Sequence, residues 1–182
     1  VVALSEGSTA LIQRERPPGH GEVEEGAHTR GAGAGTAAEV PLAYAAGQFS
    51  ASMSLEQKVG QMMMVGFADS SPGDDVSNAI EKQFVGGVVL FDRNMVSHDQ
   101  VAGMNAELQK LAAAAGAPAK LLIAVDQEGG KTRRFTDIGP YYSQPMIGEM
   151  HDTAPDAAQQ QASSTARDLK KLGFNTNLAP VA

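Results

Sequence analysis

The chain has 182 residues, a formal net charge of −7 and no cysteine. That length holds one domain with a real core. The acidic balance, with no basic cluster larger than a pair such as Arg133-Arg134, argues against a nucleic-acid partner, whose phosphates demand a basic face. Without cysteine there is no disulfide framework, thiol nucleophile or thiolate metal site, and either redox compartment stays open.

Residues 1–50 are rich in Gly, Ala, Glu, Thr and Pro, with clusters at 14–19 and 31–35. Few large apolar side chains offset the entropy of ordering them, so this segment reads as a disordered leader or linker. It favours a secreted or cell-envelope setting over a cytoplasmic one. Residues 1–15 nevertheless lack the basic, apolar and small-residue order of a signal peptide, and no run approaches the roughly 18 apolar residues of a membrane span.

Residues 51–182 read as the folded domain. Ser54 and Gln57 form a capping box that opens a helix through Val59 and Gly60, and 62–67 reads as a first strand. A helix is expected over 74–84, with Val76, Ala79, Ile80 and Phe84 on one face, followed by a buried strand over 87–91. Ser97 and Gln100 form a second capping-box pair for a helix to about Ala115, stopped by Gly116. The third strand is 120–125. After a long Gly/Pro/Tyr loop, Thr153 and Asp156 start a helix closed by Gly173, and 175–181 is the fourth strand and its exit. Strands alternating with helices indicate βαβ units and a parallel sheet.

Five apolar residues, Leu121 to Val125, end in Asp126-Gln127-Glu128-Gly129-Gly130. Such a run suits a strand buried on both faces, and the carboxyl ends of parallel strands are where chemistry sits. A strand-end carboxylate at Asp126 can accept hydrogen bonds from two neighbouring sugar hydroxyls; its bland alternative is an Asx turn onto the N–H of Glu128 or Gly129. Gly129 and Gly130 allow positive φ and a close backbone approach, or simply a tight turn. The guanidinium of Arg134, eight residues after Asp126, can donate several hydrogen bonds to hydroxyls; otherwise it is a solvated surface arginine. Lys131 can pair with Glu128 or Asp137. A phosphate-loop reading of Gly130-Lys131-Thr132 fails because Val125 stands where the first glycine belongs and Asp126 and Glu128 would repel phosphate.

Asp-Gln-Glu-Gly-Gly at 126–130, Gly-Gly-Val-Val-Leu-Phe at 86–91 and Asn-Leu-Ala-Pro-Val at 177–181 occur in order, each after an expected helix. In this combination, residues from Ser54 to Ala182 resemble the N-terminal catalytic domain of glycoside hydrolase family 3, in its β-N-acetylglucosaminidase branch. The resemblance implies a (β/α)8 barrel of which about the first four β/α units are present. It also implies a glycosidase that removes terminal β-linked N-acetylglucosamine by retaining double displacement. On that resemblance Asp126 and Arg134 bind the terminal sugar. Gly129, Gly130, Arg93 and Asn94 shape the cleft, although a loop-stabilising network is as good a reading of the last two. Lys131 departs from the family's usual arginine.

The resemblance places the nucleophilic aspartate and the His/Asp acid-base pair beyond Ala182. The 182-residue chain is therefore expected to be a fragment, inactive alone, whose partners are a carbohydrate with terminal N-acetylglucosamine and the remaining half of the barrel. Neither a cofactor nor a metal is expected, since His20 and His28 lie in the leader and His98 and His151 lack ligand spacing. Two alternatives stand: a noncatalytic carbohydrate-binding remnant or partner-dependent half barrel, and a β-glucosidase-like hydrolase within the family. A Lys-His segment followed by Gly-His-Gly in the continuing frame would favour the enzyme.

Overall fold

The structure, a computed structural model, describes residues 2–3 and 42–180. Four parallel strands form the body of one sheet: β2 (Met64–Val65), β3 (Gly87–Leu90), β4 (Leu122–Val125) and β5 (Thr176–Asn177), with β1 (Val2–Ala3) added antiparallel along β5. Their order is β1-β5-β4-β3-β2, so the four parallel strands lie side by side in chain order. The registers are Val65 opposite Val88, Leu90 opposite Val125 and Val125 opposite Asn177. The strand ends are thereby level, and the residues after Leu90 and Val125 emerge on one side.

The crossovers are helices: α3 (Asp74–Gln83) between β2 and β3, α4 (His98–Ala114) between β3 and β4, and α5 (Gln144–Gly148) with α6 (Ala154–Lys171) between β4 and β5. The apolar stripe of α4, Val101, Met104 and Leu108, packs with Val76 and Ile80 of α3 on Val88, Leu90, Ile123 and Val125. Burying a side chain of this size stabilises the fold by about 1.5–3 kcal/mol, so this one cluster outweighs any polar contact in fixing the helices on the sheet. Leu169 and Phe174 extend it from α6 to β5. These are about the first four β/α units of a (β/α)8 barrel.

Several expectations are narrowed. The first strand is Met64–Val65 rather than 62–67, because α2 (Leu55–Gln61) runs on: the Met62 N–H donates to Val59 and that of Met63 to Gly60. Asn175 stands just outside β5: its backbone N–H donates to Ile123 O at 3.2 Å, but the Ile123 N–H is taken by the Asn175 side-chain Oδ1 at 2.7 Å rather than by a backbone carbonyl. The Ser54–Gln57 capping box forms in both directions. At α4 Ser97 caps Gln100 N, but the Gln100 side chain reaches Val96 N, Ser70 O and Asn94 O instead of completing the box. Thr153 does not cap α6; it closes a 3-10 turn, and its hydroxyl donates back to Met150 O at 2.9 Å.

Within residues 1–50 the structure describes two short pieces. Val2–Ala3 is a strand whose backbone pairs with β5, and α1 (Leu42–Ala51) is a helix within a separate unit, Gly7–Ala51. The rest of the disordered-leader reading, with His20, His28 and both Gly/Pro clusters, lies outside the described residues, as does Val181 of the fourth-strand expectation.

Candidate functional site

Asp126 is the first residue past β4, and Asp92 is the second past β3, at the start of a 3-10 turn. The level strand ends put both on the same rim of the sheet. Arg134 comes to them from the loop after β4. Its Nε donates to Asp126 Oδ1 at 2.6 Å, its Nη2 donates to Asp126 Oδ2, and its Nη1 donates to Asp92 Oδ2 at 2.8 Å. The fork matches the carboxylate in the two-pronged geometry that makes Arg pairs directional.

The hydrogen bond from Asp126 pushes the guanidinium well above its ordinary value; burial pulls the other way, and the charges of Asp126 and Asp92 raise it further. Arg134 is therefore cationic wherever the protein is folded. The Asp126 side chain is 19% exposed and that of Arg134 22%. The pair is drawn out of solvent yet open on one side. Each Asp126 oxygen accepts one bond from Arg134 and keeps lone-pair capacity for an incoming hydroxyl. An Asx turn at Asp126 does not form, since the Glu128 N–H donates to Thr132 O at 2.9 Å.

The loop that carries Arg134 is held by a residue the sequence reading passed over. Gln127 is fully buried. Its Nε2 donates to the carbonyls of Phe135, Ile138 and Gly139 at 2.9–3.0 Å, and its Oε1 accepts from the N–H groups of Arg134 and Phe135. Its backbone is clamped from β5, because Asn177 Oδ1 accepts from Gln127 N and Asn177 Nδ2 donates to Gln127 O, each at 3.0 Å. One amide thus supplies the backbone partners that a strand would otherwise provide to a loop. The available signal was alternation: successive side chains leave a strand on opposite faces, so if Asp126 faces the rim, Gln127 must face the other way, against α6.

Gly129 and Gly130 both take positive φ, +88° and +62°, and a side chain at Gly129 would stand 2.7 Å from Tyr142 O. They make the reversal that returns the chain to Arg134. Asn94 is buried: its Oδ1 accepts from Phe91 N at 2.9 Å and its Nδ2 donates to the carbonyls of Phe67 and Asp69. Arg93 donates from Nε to Phe67 O and lies over the Phe91 ring at 4.6 Å. Both bind protein groups. Lys131 makes no ion pair among the described residues; Asp137 instead meets His98, at 3.4 Å.

No group of three or more His, Cys, Asp or Glu among the described residues could hold a metal, and no helix among them is long and apolar enough to cross a membrane.

A parallel βα sheet whose strand ends lie level on one rim is the architecture of part of a (β/α)8 barrel. Residues 54–182 match the Glycosyl hydrolase family 3 N terminal domain, and the chain belongs to that family. It is 33% identical over 128 residues to the β-hexosaminidase of Xanthomonas campestris pv. campestris, covering 66% of this chain and 36% of that protein. The β-hexosaminidase of Stenotrophomonas maltophilia is 33% identical over 126 residues with the same coverage. Among solved structures, a family 3 β-N-acetylglucosaminidase from Paenibacillus sp. matches with TM-score 0.66 and 36% identity, over 71% of this chain and 24% of that one. A β-N-acetylhexosaminidase from Beutenbergia cavernae matches with TM-score 0.57 and 33% identity, over 71% and 38%. The chain spans about a third, 36%, of the length of the curated relatives it matches.

Proposed function

We propose that this chain forms the terminal-sugar-binding side of a retaining β-N-acetylglucosaminidase, with Asp126 and Arg134 holding hydroxyls of the terminal N-acetylglucosamine. The observation that carries the reading is the Asp126–Arg134 fork at the carboxyl rim, half withdrawn from solvent and held by the buried Gln127. The likeness to β-hexosaminidases supports the choice of sugar. Asp126 accepts from hydroxyls, Arg134 donates its remaining N–H groups to them, and the loop 129–134 sets the distance between the two. On the family resemblance, an aspartate attacks the anomeric carbon and a histidine held by an aspartate protonates the leaving oxygen, all from positions beyond Ala182.

The test has two arms. The 182-residue chain alone should release no product from 4-nitrophenyl N-acetyl-β-glucosaminide above a mock preparation, because sugar contacts do not replace a nucleophile and proton donor. In a chimaera where residues 54–182 replace the matching segment of the Xanthomonas β-hexosaminidase, hydrolysis should return. There Asp126→Ala should cost about 2–4 kcal/mol in kcat/KM, the range for losing a charged hydrogen-bond partner. Arg134→Ala should act in the same direction, and Glu128→Gln should matter much less. Loss of activity in Glu128→Gln with a silent Asp126→Ala would show these roles to be assigned in the wrong register.

A further inference from the structure

A guanidinium carries five N–H groups. Three of those on Arg134 are placed: Nε and Nη2 on the two oxygens of Asp126, and Nη1 on Asp92 Oδ2. The carboxylates therefore flank one cation, and the second of them comes from a different strand end.

Asp92 is carried on a fixed turn. Its neighbour Asn94 is fully buried and bonded to Phe91, Phe67 and Asp69, and Arg93 is anchored on Phe67 O. The backbone at Asp92 is also pinned, since its carbonyl accepts from Met95 N at 3.1 Å. Yet the Asp92 side chain is 68% exposed, and no protein group among the described residues meets its Oδ1. An ion pair this open contributes little to stability. What the turn does achieve is to present an oriented acceptor, one oxygen held by Arg134 and the other toward solvent, beside the rim that Asp126 occupies.

We propose that Asp92 is a third sugar-contacting residue, accepting a hydroxyl of the terminal sugar other than those taken by Asp126, and so determining which hydroxyl pattern is bound. The inference rests on the reading of Asp126 and Arg134 as a sugar site. Two carboxylates around one guanidinium make a corner that fits a neutral polyhydroxyl ring, each hydroxyl donating to a carboxylate and accepting from a remaining Arg134 N–H. The same corner repels a ring that presents a carboxylate there.

The test measures binding of N-acetylglucosamine and its 3-deoxy, 4-deoxy and 6-deoxy analogues to the 182-residue chain by ligand-observed NMR. The nitrogen shift of Arg134 Nε is followed in arginine-labelled protein alongside. Asp92→Ala should weaken N-acetylglucosamine about 10- to 150-fold, the range for one hydrogen bond to a charged group. Discrimination against one deoxy analogue should vanish in that variant while the discrimination belonging to Asp126 persists. The Arg134 Nε shift should hardly move in Asp92→Asn, because Nε and Nη2 stay on Asp126. A uniform loss across all analogues together with a displaced Arg134 signal would show that Asp92 only positions Arg134, and would overturn the proposal. So would an unchanged discrimination pattern in Asp92→Ala. Absence of sugar binding by the unsubstituted chain would sink the underlying site with it, whereas binding lost in Asp126→Ala and intact in Asp92→Ala would sink this inference alone.

Discussion

At the carboxyl rim of β3 and β4 the buried polar side chains find partners within the chain, whereas the α2–β2 segment leaves Leu55, Val59, Met62 and Met63 between 54% and 85% exposed. Gln127 and Asn94 are as buried as the core leucines, and each satisfies several backbone groups. By contrast, β2 pairs only with β3, so along the described elements its other side carries unmatched backbone groups beside an apolar helix face. The first region is satisfied within the chain; the second has the character of an interface face.

The comparison breaks most readily at Gln127. Gln127→Leu keeps the volume but strands three carbonyls and two N–H groups, and should cost at least about 3 kcal/mol by urea denaturation, because buried groups left unpaired bear the full desolvation penalty. A cost below about 1 kcal/mol would show that the loop is held by other means.

Next comes the ion pair itself. Arg134→Met leaves a partly buried Asp126 without its cation and should cost about 1–3 kcal/mol. The sign of its pH dependence is set by the upward shift of Arg134. A group whose folded value is raised stabilises fully below its unfolded value and loses that contribution only as pH climbs through the folded one. For a guanidinium that window lies at extreme alkalinity, so its own titration should leave the difference between the two proteins flat from about pH 6 to pH 9. A difference that fell away steadily on the alkaline side would contradict this assignment.

The open edge is sharpened by charge. Leu55→Lys with Met62→Lys should lower self-association of the chain in sedimentation velocity while changing stability by less than about 0.5 kcal/mol, as surface substitutions do. A monodisperse monomer before substitution would remove the basis for calling that face an interface. A local effect is expected at Ser54, whose hydroxyl caps Gln57 N at 3.2 Å in an exposed box; Ser54→Ala should lower the melting midpoint by the equivalent of about 1 kcal/mol.

These regions were not equally legible in the sequence. Helices with an apolar stripe, such as α4, announce themselves through period, and Ser54 with Gln57 through a local rule. Asp126 and Arg134 stood out because a strand end and a family motif coincide there. Gln127 did not, because a glutamine next to two acids reads as solvated; its burial depends on the loop of Phe135 to Gly139 folding back onto it and on Asn177 of β5, 50 positions on. Asp92 was hidden for the same reason: nothing near it in sequence indicates Arg134, 42 positions away. The two-residue strands were over-read because β2 begins only where α2 stops using its backbone and β5 is preceded by a side chain, Asn175, doing a strand's work. Punctuating Gly and Pro residues likewise concealed the short α5.

The central claim is that the Asp126–Arg134 fork holds the terminal N-acetylglucosamine. The direct measurement is a crystal structure of the chain, or of its chimaera, soaked with N-acetylglucosamine. Two ring hydroxyls should lie within hydrogen-bond distance of the Asp126 carboxylate, and at least one of them also of Arg134, with the Gln127 contacts undisturbed. Sugar bound elsewhere, with the fork intact and empty, would contradict the account.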